Sequence, residues 1–242
     1  MAFHPVYYIT LVCPDLDTSK KMIDQYIDHG AGALQIDMPS RQPDYETDFV
    51  KQNMKNALEL YKGYDVFLDF FRSLRREHSA LELHLVVYPD VIEGIGKKKF
   101  VSFFKEVGFA SLMLVSWDQD YRNSLKEEGI VLMENLDRDL TDESLSRAAS
   151  LDEHCVVAYG YRNHSQCARK ECPTLKQKID LIREKGVRCK IYAVEGIATK
   201  EMMKEVKDAG MDGALVGNVL MRLWEEPASL WQLFNEFQSL AE

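Results

Sequence analysis

Asp37 and Glu195 close two apolar runs of this sequence, and each is followed by a residue that stops a strand: Pro39 soon after the first, Gly196 directly after the second. A carboxylate at such a place can serve as a general acid or base when a cleft tunes its pKa. Glu46 adds a third carboxylate, in the polar stretch after Asp37. Gly196, Gly217 and Asn218 suggest different chemistry. A glycine lets an anion approach the backbone, and the N–H groups at a helix start point at it. His164, Cys167 and Cys172 lie close in sequence, but zinc asks for four ligands at tighter spacing, so they read as a polar loop. Lys190 raises Schiff-base chemistry. Strand alternation, however, puts it opposite Cys189, Ile191, Ala193 and Glu195.

The elements that must position these residues repeat one theme. Apolar, β-branched runs at 6–12, 33–38, 83–88, 111–116, 130–134, 155–160, 188–194 and 213–216 read as strands. Helical periodicity marks 17–29, 47–61, 64–77, 96–107, 119–128, 141–150, 174–185, 199–209 and 227–241. Strands alternating with helices imply parallel strands with right-handed crossovers. Their count, spacing and the chain length favour an α/β fold of the (β/α)8 TIM-barrel type, one domain over 1–242, ahead of a doubly wound open sheet. In such a barrel the chemistry lies at the C-terminal ends of the strands, and phosphate commonly sits at the loops after strands seven and eight. Gly196 and Gly217-Asn218 occupy those two loops. Within strand two, Gln35 and Asp37 share a face, while Leu34, Ile36 and Met38 face the helices. Trp224, Leu230, Trp231, Phe234 and Phe237 form a helical stripe suited to core or to a subunit contact.

Composition narrows the partners. Of 242 residues, 46% are hydrophobic and 29% charged, a globular balance that excludes a disordered chain or coiled coil. With 30 basic and 39 acidic residues the formal charge is −9, which argues against broad nucleic-acid or anionic-membrane binding. No apolar run is long enough to span a bilayer, and the first residues do not read as a secretory signal. Five irregularly spaced cysteines fit reduced, cytoplasmic thiols.

From Tyr8 to the last helix the sequence resembles the tryptophan synthase alpha subunit family. The carriers are Tyr8–Pro14, His29–Pro39, Pro43, Gln52-Asn53, Leu85–Tyr88, Val107–Leu112, Val194–Ile197 and Gly210–Asn218. The resemblance implies a (β/α)8 barrel that splits indole-3-glycerol phosphate into indole and glyceraldehyde 3-phosphate by retro-aldol cleavage. It implies no metal or cofactor in this chain, and a pyridoxal-phosphate beta subunit as a possible partner, with a homodimer as the alternative. It also implies a phosphate held by Gly196, Gly217 and Asn218.

The catalytic pair departs from the family pattern. Gln35 stands at the strand-two glutamate, and an amide cannot act as a general acid or base. Glu46 falls near the family's loop aspartate. The segment Tyr161–Gln166 replaces a glycine-rich loop, and Glu195 stands where the family has an aromatic that packs on indole. Asp37, Glu46 and Glu195 are therefore expected to carry the catalysis with Gln35 beside them, and Tyr8 and Tyr88 to line the substrate pocket. Asp37 and Glu195 are expected to line one pocket with Gly196 and Gly217. The expected function is a retro-aldol lyase on a small phosphorylated substrate, weak on indole-3-glycerol phosphate. The alternative is a non-catalytic relative that binds a phosphorylated ligand or regulates a partner.

Overall fold

The computed structural model describes residues 3–136, 140–150, 156–159 and 174–241. His164, Cys167, Cys172 and the segment Tyr161–Gln166 lie outside these residues. The chain forms two compact units, Tyr8–Leu132 and Met133–Glu242 with the first seven residues. Each is a mixed α/β, parallel-strand half-barrel.

The Tyr8–Leu132 unit contains the end of β1 (His4–Ile9), α1 (Leu16–Asp28), β2 (Ala33–Asp37), α2 (Asp48–Leu60), α3 (Asp65–Glu77), β3 (Glu82–Val87), α4 (Pro89–Ile95), α5 (Lys97–Val107), β4 (Ser111–Leu114) and α6 (Gln119–Glu127). β2, β3 and β4 are parallel neighbours, with Gln35 opposite His84 and His84 opposite Ser111. Leu34, Ile36, Leu83, Leu85, Val87, Leu112 and Leu114 are buried on the helix-facing side. Local chemistry starts the helices. Asp15 caps α1 by accepting the Thr18 N–H at 2.7 Å, and Asp118 caps α6 by accepting that of Tyr121 at 3.0 Å. Each cap contributes about 1 kcal/mol.

Beyond shifts of one or two residues at strand and helix ends, this unit departs from the sequence reading at three places. β1 ends at Ile9 rather than Val12, because the chain turns there: Val12 has φ 65, and the N–H groups on either side of it go to side chains. The expected helix 96–107 is preceded by an unforeseen one, α4, which starts at Pro89. Proline is favoured in the first helical turn, where its missing N–H has no partner to lose. Gly96, at φ 91, separates α4 from α5. The expected strand 130–134 is displaced, since Leu132 makes only an isolated bridge to Leu112.

The other unit contains the start of β1, β5 (Glu134–Leu136), α7 (Asp142–Ala149), β6 (Val156–Tyr159), α8 (Leu175–Glu184), β7 (Ile191–Val194), α9 (Lys200–Asp208), β8 (Gly213–Val216), α10 (Asn218–Met221) and α11 (Pro227–Gln238). Its parallel order is β1-β8-β7-β6-β5. β7 begins at Ile191, later than the expected 188, for an electrostatic reason. Arg183 Nη1 donates to the carbonyls of Val187 and Cys189, while its Nη2 donates to Asp212 Oδ2 at 2.6 Å. The same Asp212 oxygen accepts the Ile191 N–H at 2.8 Å. The segment before Ile191 is thus tied to a guanidinium rather than to a strand. Of the aromatic stripe, Leu230, Phe234 and Phe237 are core, with Tyr7 stacked on Phe234 at 4.4 Å, while Trp224 and Trp231 are half-buried.

Gly213 fixes how closely β8 meets its neighbours. A Cβ there would lie 2.1 Å from the His4 carbonyl oxygen and 2.6 Å from the Tyr192 ring. The first is backbone locked in the β1–β8 ladder and cannot step aside. Gly213→Ala is therefore expected to destabilise the protein by about 1–3 kcal/mol, the ordinary cost of overpacking. A urea melt with an unshifted midpoint would contradict this.

Candidate active site

Asp37 ends β2 with no accessible surface. Its Oδ2 accepts the Tyr8 hydroxyl at 2.6 Å and its Oδ1 accepts the Leu11 N–H at 2.8 Å. The turn at Val12 presents that N–H, and it is held from the other side by Ser19 Oγ, which accepts the Cys13 N–H at 3.0 Å. A β-branched residue at positive φ is strained, so surrounding contacts must hold it. Burial pushes the Asp37 carboxyl up to about 7, and the nearby Glu46 charge pushes the same way; hydrogen bonds from Tyr8 and Leu11 and the nearby Thr10 hydroxyl oppose the rise.

Glu46 is half-buried in the loop after β2. Its Oε1 accepts the hydroxyl of the buried Tyr88 at 3.2 Å. Side-chain hydrogen bonds pin that loop. Asp90, in the first turn of α4, accepts the Ser40 hydroxyl at 2.7 Å and the Arg41 N–H at 2.8 Å, and Ser40 Oγ accepts the Gln42 N–H at 2.9 Å. Tyr8 and Tyr88 both have their hydroxyls held well above the ordinary tyrosine range, chiefly by burial and then by carboxylate charge. Cys13 lies beside this group. Burial pushes its thiol up to about 11, and its Sγ accepts from Asn53 Nδ2 at 3.5 Å.

Gln35 is buried one inward position before Asp37, in a row with His84 and Ser111. His84 Nδ1 lies 2.8 Å from Ser111 Oγ, and its Nε2 lies 2.9 Å from Glu82 Oε1. Of the expected site residues, the structure links Asp37 to Tyr8 and Glu46 to Tyr88 by hydrogen bonds and sets the two carboxylates within electrostatic reach of each other. The sequence reading missed Asp90, Ser40, Leu11 and the His84 row. The alternation of His84 with Leu83 and Leu85 was the available signal for that row.

The other expected residues belong to the second unit. Glu195 has φ 68 and Gly196 φ 82, so both lie beyond β7 in left-handed backbone. Strand alternation therefore does not set the direction of Glu195, contrary to the sequence reading. Lys190 is exposed just before β7. Gly217 precedes α10, as expected of a glycine opening a short helix. Asn218 Oδ1 is buried with no hydrogen-bond partner among the described residues.

Among the described residues, one group has metal-ligand spacing: Asp24, Glu77 and His78. Lys20 Nζ already lies 2.7 Å from each of the two carboxylates, so the group is a compensated ion network. No helix among the described residues is long and apolar enough to cross a membrane.

Comparison with known proteins decides the family. The tryptophan synthase alpha chain family model matches residues 2–241. The chain belongs to that family. The tryptophan synthase alpha chain of Leptospira borgpetersenii is 24% identical over 233 residues, covering 92% of this chain and 86% of its own. That of Thermococcus kodakarensis is 24% identical over 227 residues, covering 89% and 86%. Among solved structures, an Aquifex aeolicus protein superposes with a TM-score of 0.84 at 21% identity, covering all of this chain and 94% of its own. Tryptophan synthase subunit alpha of Legionella pneumophila gives 0.80 at 19% identity, covering 98% and 92%. At these identities the structural likeness speaks for the fold. Family membership supports an alpha-like lyase at a coarse level, and alpha homologues pair with a beta subunit.

The buried carboxylate has a consequence for stability. The folded state holds the Asp37 proton up to about 7, against 3.8 ordinarily. Between those values the native state binds more protons than the unfolded state, so stability falls as pH rises through the window and stays reduced above it. Asp37→Asn removes that titration. The variant should match the wild type near pH 4 and exceed it above pH 7 by about 2–4 kcal/mol. Thermal melts across pH check this, and a difference independent of pH would contradict it.

Proposed function

We propose that this chain is a retro-aldol carbon–carbon lyase for a small phosphorylated substrate whose other half is more polar than indole. Supporting this most directly is the Asp37–Tyr8 and Glu46–Tyr88 cluster, two carboxylates within electrostatic reach of each other and each bonded to a tyrosine hydroxyl. Neighbouring carboxylates in a dry cleft raise the pKa of one of them toward neutrality, which suits that group to proton transfer near pH 7. Ionised Asp37 takes the proton of the substrate hydroxyl. The C–O bond becomes a carbonyl as the adjacent C–C bond breaks, and the released electron pair takes a proton from water, to which Asp37 then returns its own; the Glu46 charge keeps Asp37 basic enough for this. Gln35 contributes a hydrogen bond and no proton. No metal or cofactor enters this step.

In the same reading the eight βα units close into one (β/α)8 barrel of a single domain, in the cytoplasm. The substrate phosphate is held by backbone N–H groups at Gly196, Gly217 and Asn218. The buried Asn218 Oδ1, without a hydrogen-bond partner among the described residues, supports this, since a half-turn about its last torsion would put a donor, Nδ2, in its place. Glu195, beside Gly196, faces the polar half of the substrate. A beta-subunit-like partner or a second copy has candidate contacts in Tyr45 and Trp117, which are exposed large side chains. Gln35 favours the second reading, a non-catalytic relative that binds a phosphorylated ligand.

Indole release from indole-3-glycerol phosphate should run about 10²–10⁴-fold below that of an ordinary alpha subunit, the usual worth of one general acid–base group. Its kcat/KM should fall as pH drops below about 7, where Asp37 is protonated. An ordinary rate would contradict the first expectation, and a profile flat from pH 5 to 8 would contradict the second.

Gly217→Asp should abolish calorimetric binding of glycerol 3-phosphate, because it crowds the pocket and sets a like charge beside the anion. Circular dichroism should remain that of the wild type. Unchanged affinity would place the anion elsewhere.

A further inference from the structure

Asp37 has no accessible surface, and each carboxylate oxygen already accepts a hydrogen bond. One donor is the Leu11 N–H, a backbone group fixed by the Val12 turn. The other is Tyr8, which keeps accessible surface of its own. A ligand can reach Asp37 only by displacing one of these donors or by working through one. A backbone amide cannot pass a proton on at neutral pH. A tyrosine hydroxyl can, because it accepts one hydrogen bond while donating another.

We propose that Tyr8 is a catalytic residue that relays the proton between the substrate hydroxyl and Asp37. This inference rests on the lyase reading above. In the step, the substrate O–H bond breaks and its proton joins Tyr8 Oη. The proton that Tyr8 held moves to Asp37 Oδ2, which becomes neutral, and Tyr8 ends as it began. The electron pair left on the substrate oxygen forms the carbonyl. The C–C electrons leave with the departing carbon, which takes a proton from water, and Asp37 returns its own proton to that water.

The surroundings favour a relay over a free phenolate. Burial and the charges of Asp37 and Glu46 hold the Tyr8 hydroxyl well above its ordinary range, so Tyr8 does not give up its proton without receiving another. The titratable groups around Asp37 in this unit are Tyr8, Cys13, Glu46 and Tyr88. Cys13 and Tyr88 stay neutral near pH 7, which leaves the Glu46 charge as the one acting on the pair. The relay also defines the substrate class: an alkyl phosphate with an alcohol on the carbon whose C–C bond breaks. Such an alcohol meets a phenol rather than an exposed carboxylate.

Full-length protein carrying carbon-13 at aspartate Cγ and tyrosine Cζ tests this, as wild type, Tyr8→Phe and Asp37→Asn. In the wild type the Asp37 and Tyr8 resonances should move together through one midpoint near neutral pH. Tyr8→Phe removes a donor to the ionised carboxylate, so the Asp37 midpoint should rise by about one unit. With indole-3-glycerol phosphate as the probe, Tyr8→Phe should lower kcat about a hundredfold or more and leave KM little changed. An Asp37 midpoint that does not move in Tyr8→Phe overturns the proposal. So does a Tyr8→Phe protein that cleaves at the wild-type rate, since Asp37 would then act directly. If the wild type releases no indole, that result counts against the lyase reading on this substrate, and the carbon-13 titration still decides whether Tyr8 and Asp37 share a proton.

Discussion

A carboxylate buried at Asp37 without a countercharge among its hydrogen-bond donors is the constraint around which the Tyr8–Leu132 unit is arranged. An ion moved out of water costs several kcal/mol unless it is paired or well bonded. Here the compensation is dipolar. It consists of one phenol, one backbone N–H and the nearby Thr10 hydroxyl, and it is incomplete, which is why the group titrates near neutrality. The first strand must therefore end at Ile9, so that the chain can bend and aim Leu11 N–H at Oδ1. The strain at Val12 is the local cost of that aim.

The same economy governs the loop that carries Glu46. A loop placing a second carboxylate near Asp37 works against Coulomb repulsion and must be held by something stronger than its own turns. Asp90 supplies two charge-assisted hydrogen bonds to Ser40 and Arg41, of a kind worth about 1.5–3 kcal/mol each. Pro89 starts the helix that presents Asp90, so a residue at one strand end braces the loop that carries Glu46 after the neighbouring strand.

Much of this architecture was legible in the sequence because it rests on period and punctuation. The strand at 213–216 and the helix start at Asp65 follow from apolar spacing, and the helix starts at Asp48 and Gln119 from spacing together with the capping residues Thr47 and Asp118. The boundaries that moved were decided by contacts distant in sequence. Arg183 and Asp212 control where β7 begins, and Asp37 controls where β1 ends. Periodicity cannot register either one. Asp37 and Glu46 were legible as candidates by residue type and place, whereas their link through Tyr8 and Tyr88 required the fold. For Glu195 the period-two rule failed because left-handed backbone intervenes at that residue.

Gln35 and Asp37 are best understood together. They are alternate residues on one strand and so about 7 Å apart on the same inward face. Two carboxylates at that distance would repel by about 2 kcal/mol at an effective dielectric near 20. That cost would add to the burial that already raises Asp37. A glutamate at 35 would also stand in the row of His84 and Ser111, where His84 is already engaged by Ser111 and Glu82. A neutral amide at 35 adds no second charge to the burial that already raises Asp37, so Asp37 can ionise near neutral pH. Gln35 and Asp37 thus place the carboxylate of this inward face at the end of β2, where Tyr8 and Glu46 meet it.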